Sequence, residues 1–171
     1  ATEAWAKGEA AAKCLREKLA FNGSVVSNGK LGEILSVQPS YFDSDSNGSG
    51  PLSAAFSGSS QHLEKLYLGK KWHTGRRFDA ARLIGDFQLR SSDETVLPAT
   101  AATTYRQKYQ RAFAREFLLP TEVLKEFWND HGTDDDAIEA IAQDFEVSPR
   151  LVESTLINKG LAEPRQMVDM L

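Results

Sequence analysis

A glycine set inside a helical pattern restricts this chain more than any other single feature. From Arg76 to Leu89, the residues Phe78, Ala81, Arg82, Gly85 and Leu89 recur at spacings of three and four, the period of a mostly buried helix. Glycine costs a helix interior about 1 kcal/mol relative to alanine, so close packing at Gly85 is the reason assigned to it. A chain that tolerates this cost builds its core from closely packed helices.

Further helices follow from the same periodicity. Trp5 to Leu19 places Trp5, Ala11, Ala12, Leu15 and Leu19 among charged residues, an amphipathic helix that ends toward Phe21-Asn22-Gly23. A short helix is expected at Lys30 to Leu35. Another runs from Tyr105 to Leu119 with Tyr109, Ala112, Phe113 and Phe117 on one broad side, and Pro120 starts the next, to about Trp128. Asp134-Asp135-Asp136 favours a helix start before Ala137 to Phe145. Ser148-Pro149 marks one more, which Gly160 closes. Between the helices, the stretch Ser40 to Ser60 is rich in Ser, Asp, Asn and Gly and reads as two loops around one short strand near Leu52 to Phe56. Glu64 to Leu68 alternates like a half-buried strand. Ser91 to Thr104 reads as a polar loop interrupted by Pro98. The expected fold class is α+β, mainly helical and packed on a small sheet. Residues 1–133 form the principal domain, and 134–171 form a helical subdomain resembling a helix-turn-helix that packs on it.

Bulk properties exclude some functions. The 171 residues are 41% apolar and 26% charged, which suits an ordinary globular domain. A net charge of -4 gives no global attraction to phosphate backbones or anionic membranes. No apolar run approaches the roughly 18 to 20 residues that cross a bilayer. The single cysteine, Cys14, suits a reducing compartment and is expected as a small buried residue. These features together predict a cytoplasmic location. A start at Ala1 without methionine is compatible with a segment cut from something longer and leaves an upstream domain open.

Zinc peptidases of the HExxH type place two histidines four residues apart on one helix face, with a glutamate between them as general base. The stretch Arg77-Phe78-Asp79-Ala80-Ala81-Arg82-Leu83-Ile84-Gly85-Asp86 resembles the active-site helix of the ImmA/IrrE family of regulatory metallopeptidases, approximately RFTLAHELGH, with matches at Arg77, Phe78, Ala81 and Gly85. Ala112-Phe113-Ala114-Arg115-Glu116-Phe117-Leu118-Leu119-Pro120 resembles the second signature, approximately EANxFAAELLMP. The leading helix and the stretch from Val147 to Leu161 extend the resemblance over nearly the whole chain.

The resemblance implies a zincin-like ImmA/IrrE fold, but the residues that carry its chemistry are replaced. Arg82 and Asp86 stand at the two histidine positions, Leu83 at the catalytic glutamate, and Tyr109 at the third ligand. No catalytic residue, metal ligand or cofactor is therefore expected. Two readings of the replacements are open: an internal Arg82 and Asp86 pair approached by the Tyr109 hydroxyl, or side chains solvated at the mouth of a decayed cleft. His62, His73 and His131 are scattered and lack ligand spacing. Lys70, Lys71, Trp72, His73, Arg76 and Arg77 read as a basic loop with an exposed aromatic. This loop is a candidate binding element, although a merely solvated loop is favoured.

By resemblance, the expected function is a catalytically inactive regulatory domain in transcriptional or phage and stress regulation. It would bind a repressor-like protein or sense a small ligand in the former cleft. One alternative is an active peptidase with atypical ligands such as Asp86 and His73, cleaving a repressor. The other is a DNA-binding regulator that uses the terminal helices and the basic loop. The acidity of the first terminal helix disfavours nucleic acid.

Overall fold

The computed structural model describes residues 2–48, 50–58, 63–132 and 134–164, without the His131 side chain. His62, expected above as an isolated histidine, lies outside the described residues. Among these residues there are seven helices and three strands. In chain order they are α1 (Ala4–Lys18), α2 (Asn28–Leu35), a 3-10 turn (Pro39–Phe42), β1 (Ser53–Ser57), β2 (Leu63–Tyr67), α3 (His73–Leu89), β3 (Val96–Ala99), α4 (Tyr105–Leu118), α5 (Thr121–His131), α6 (Asp135–Phe145) and α7 (Pro149–Asn158). No helix is long and apolar enough to cross a membrane among the described residues.

The expected α+β class is the one observed. The sheet is antiparallel in the order β2-β1-β3, with Ala55 opposite Leu66 on one side and Leu97 on the other. Its third strand corrects the expectation of a polar loop from Ser91 to Thr104. Pro98 cannot donate to a ladder, but β3 is an edge strand, where proline is tolerated. The pairing shifts register between Phe56 and Ser57, so Leu63 faces Ser57 out of step with the rest of β2.

Packing in α1 follows small residues rather than large ones. The buried positions are Ala4, Gly8, Ala12 and Arg16, while Trp5 stays 55% exposed and Leu19 38%. The cause lies in the contact with α4. A Cβ on Gly8 would meet the Tyr109 carbonyl oxygen at 2.5 Å, so the two backbones approach too closely for any side chain. Cys14, on the outer face, is exposed rather than buried as expected. Gly85 has the packing role assigned to it: a Cβ there would lie 2.5 Å from the Phe113 ring of α4. Phe113 is fully buried and stacks on Phe117, so one aromatic column along α4 serves the contact with α3.

Buried arginines tie the loops to this core. Arg16 donates to the carbonyls of Phe117, Asn22 and Ser24. Arg76 reaches those of Tyr41, Leu68 and Lys70. Arg77, which is fully buried, donates to Val26 and Glu146 carbonyls and to the Asn28 side chain. Burial pulls the Arg16 and Arg77 guanidinium groups down from their ordinary value, against opposing help from Glu116 and Glu146 respectively. The side chains of α6 and α7, including Ile141, Phe145, Val152 and Leu156, belong to the same apolar cluster as Leu83 and Phe113.

Gly8→Ala tests the α1 and α4 contact. Alanine would add about 1 kcal/mol of helix propensity at an exposed site, whereas here it should destabilise the protein by about 1 to 3 kcal/mol in urea denaturation because a backbone must move. A stabilised variant would show that α1 does not rest on α4 at this point.

Candidate functional site

The site lies where α3, α4 and β3 converge. Arg82, Leu83 and Asp86 come from the middle of α3 and Tyr109 from the second turn of α4. All four are buried, with Arg82 at 5%, Tyr109 at 3% and Leu83 and Asp86 at 0% exposure. The solvated cleft mouth considered above therefore does not exist at these residues. Leu83, which the sequence resemblance sets at the position of a catalytic glutamate, belongs to the apolar core.

The internal pair between Arg82 and Asp86 is not formed either. Arg82 Nη1 lies 3.5 Å from Asp79 Oδ1, one turn toward the N-terminus. Helical side chains lean in that direction, so an acid three residues earlier is better placed than one four residues later. Arg82 Nη2 also donates to the Thr100 carbonyl at 2.7 Å and to Gln107 Oε1 at 2.5 Å. Gln107 Oε1 accepts from the Thr100 N–H as well, and both Gln107 and Gln110 donate to the Pro98 carbonyl. Asp79 accepts from the Ser53 hydroxyl of β1 at 2.7 Å, and that hydroxyl accepts from the Gly69 N–H. One chain of hydrogen bonds thus joins β1, α3, β3 and α4.

Asp86 is held separately. Arg106 Nε, on the first turn of α4, donates to Asp86 Oδ1 at 2.6 Å, and its Nη1 lies 2.5 Å from Glu94 Oε2. Burial pushes the Asp79 carboxyl up, opposed by its Ser53 hydrogen bond and the Arg82 charge, and pulls the Arg82 guanidinium down, opposed mainly by Asp79. The hydrogen bond to Asp86 raises Arg106, and the hydrogen bond from Arg106 lowers Glu94. Desolvation, and then the Asp86 charge, push the Tyr109 phenol up. Arg82 Nε, Asp86 Oδ2, Arg106 Nη2 and Gln110 Oε1 are buried without a protein partner.

This donor set does not fit a zinc ion, which takes at least three lone-pair donors from the protein. Arg82 brings a guanidinium without a lone pair. Tyr109 is further from ionising than an ordinary phenol, and Asp86 has only one oxygen outside its ion pair. Among the described residues, no group of three or more His, Cys, Asp and Glu side chains is placed to hold a metal. His73 and Asp86, the atypical ligands considered above, are thirteen residues apart on one helix, about 20 Å by helical rise, and cannot share an ion.

The expected basic loop is divided by the structure. Only Lys70, Lys71 and Trp72 precede α3, which starts at His73 and not at Arg76. Trp72 is 65% exposed, whereas Arg76 and Arg77 are buried structural braces and offer nothing to a partner. In the terminal pair, Thr155 is fully buried and hydrogen-bonds to Leu151, while Lys159 pairs with Glu9 of α1 at 2.6 Å. Two side chains that a DNA reader would extend are thus committed within the fold.

Sequence reasoning overlooked Asp79, Arg106, Gln107 and Gln110. The signal for the first was its three-residue spacing from Arg82. The two glutamines were visible at helical spacing from the apolar residues of α4, Gln110 standing three and four residues before Phe113 and Ala114.

The family model for the IrrE N-terminal-like domain, a peptidase family, matches residues 70–156 and so spans both α3 and α4. The chain belongs to this family, the ImmA/IrrE metallopeptidase-like proteins. No curated protein and no solved structure matches it.

Arg106→Gln should destabilise the fold by about 2 to 3 kcal/mol, because it leaves the Asp86 charge buried without its cation. The double variant Asp86→Asn, Arg106→Gln should lose less than Arg106→Gln alone in the same denaturation assay. An equal or larger loss in the double variant would show that the two groups do not pair.

Proposed function

We propose that this chain is a catalytically inactive ImmA/IrrE-like domain that regulates by binding, with a repressor-like protein as its partner. The observation that carries this reading is the hydrogen-bonded set around Arg82, at positions the resemblance aligns with a zinc centre. A buried cation bound to Asp79, Gln107 and Thr100 repels a metal ion and supplies no base for activating water. Leu83 adds no proton acceptor where the family resemblance implies a glutamate. An apolar core and two salt-bridged helices persist around this site, so the scaffold keeps its shape without the chemistry.

The burial of Asp86, Leu83 and Tyr109 favours a partner on the surface over a small ligand in the former cleft. In this reading residues 1–133 are the metallopeptidase-like part and 134–171 a helical subdomain packed on it, in a cytoplasmic regulator of transcription, phage functions or stress. The acidic first turn of α6 weighs against DNA as the target.

Metal content decides between this reading and an atypical peptidase. The purified protein, exposed to zinc and desalted, should carry no stoichiometric zinc by elemental mass spectrometry. The variant Arg82→His, Leu83→Glu, Asp86→His, Tyr109→Glu should take up one ion per chain. One tightly held zinc in the natural protein would overturn the proposal.

A further inference from the structure

A second site stands apart from the Arg82 network, at the groove between the start of α3 and the start of α7. It is a cavity of about 360 Å³, within the range of small-ligand pockets. Trp72, Phe78 and Leu151 give it a large apolar lining, and Lys70, Lys71 and Arg150 line it as cations. No carboxylate lines it, and none of the three cations is ion-paired among the described residues.

The groove is built by the two arginines that sequence reading had placed in a binding loop. Arg76 holds the Leu68 and Lys70 carbonyls at 2.9 and 3.0 Å, and the Asp45 N–H fixes the Lys71 carbonyl at 2.8 Å. The Lys70-Lys71-Trp72 wall is thereby fixed at its backbone, and the Lys71 ammonium rests 4.9 Å from the centre of the Trp72 ring. Arg77 holds the opposite wall through the Glu146 carbonyl at 3.0 Å, next to Val147 and the start of α7.

The charge is local. On the other side of Thr74 and Val147 the adjoining cavity is lined by Asp136, Glu139 and Glu146. A long polyanion that followed the surface out of the first groove would meet those carboxylates, so duplex nucleic acid does not fit. A compact molecule with one anionic head and an apolar body does.

The geometry points to a binding site for small amphiphilic anions, with the anionic group at Lys70, Lys71 and Arg150 and the apolar part on Trp72, Phe78 and Leu151. This site is independent of whether the Arg82 region has lost catalysis. It gives the domain a means to sense a metabolite-sized ligand where the start of α3 meets the start of α7.

The test is a titration of the full chain with 4-phenylbutyrate, its uncharged counterpart 4-phenylbutanamide and a short DNA duplex, followed by the Trp72 indole resonance in NMR. The carboxylate should shift that resonance saturably, and more weakly as salt rises. It should bind roughly tenfold or more tightly than the amide, as expected for charge-assisted contacts. Lys70→Gln, Lys71→Gln, Arg150→Gln together should remove that preference while leaving the other indole resonances in place. Trp72→Ala, which keeps the cations but removes the reporter, should weaken both ligands when their binding is measured by isothermal titration calorimetry. Equal binding of carboxylate and amide, no saturable shift, or tighter binding of the duplex would each overturn the proposal.

Discussion

The close seating of α4 on α3, with Gly85 receiving the Phe113 ring, is the contact on which the rest of the molecule depends. Without a side chain at Gly85, α3 comes close enough for Arg82 to reach Gln107 and for Asp86 to reach Arg106. The same aromatic column continues through Phe117 to Phe21, next to the Arg16 guanidinium that closes the end of α1. Interiors packed to this density transmit small changes in spacing, so the polar site and the apolar core share one geometry.

In the metallopeptidase arrangement that the resemblance implies, one ion would draw donors from both helices and so link them. Here two sets of charged hydrogen bonds make the link: Arg82 with Gln107, and Asp86 with Arg106. Buried ionic groups of this kind are costly to desolvate and strongly destabilising when only one partner is removed. Asp79 illustrates the balance, since burial raises its carboxyl while Ser53 and Arg82 hold it down. A site arranged this way favours one fixed packing over exchange with ligands or water.

Much of the helical framework was legible because periodicity, caps and breakers agreed. Asp134 and Ser148, read as helix starts, each accept the capping hydrogen bond of their helix, whereas Ser27 and Thr104 do the same without having been read as caps. The third strand was not, because Pro98 and the surrounding threonines resemble a loop, and only its place at the sheet edge makes the proline acceptable. The face of α1 was misjudged for a different reason. Large residues usually mark the buried side, but a close helix contact selects Ala4, Gly8 and Ala12 and leaves Trp5 outside. At the site, the motif drew attention to Arg82, Leu83, Asp86 and Tyr109, which the structure buries together where α3 meets α4. The partner of Arg82 could not be read from it, since Asp79 and Asp86 both stand at helical spacing from Arg82, and side-chain direction decides between them. The basic run at Lys70 to Arg77 likewise gave no hint that Arg76 and Arg77 turn inward to backbone carbonyls.

The measurement that bears most directly on this account is a double-mutant cycle in urea joining Arg82→Met to Asp79→Asn, set beside one joining Arg82→Met to Asp86→Asn. The account predicts that Arg82→Met alone costs about 3 kcal/mol or more. It predicts a coupling above about 1 kcal/mol with Asp79 and below about 0.5 kcal/mol with Asp86. A neutral Arg82→Met variant, or a coupling carried by Asp86 instead of Asp79, would contradict it.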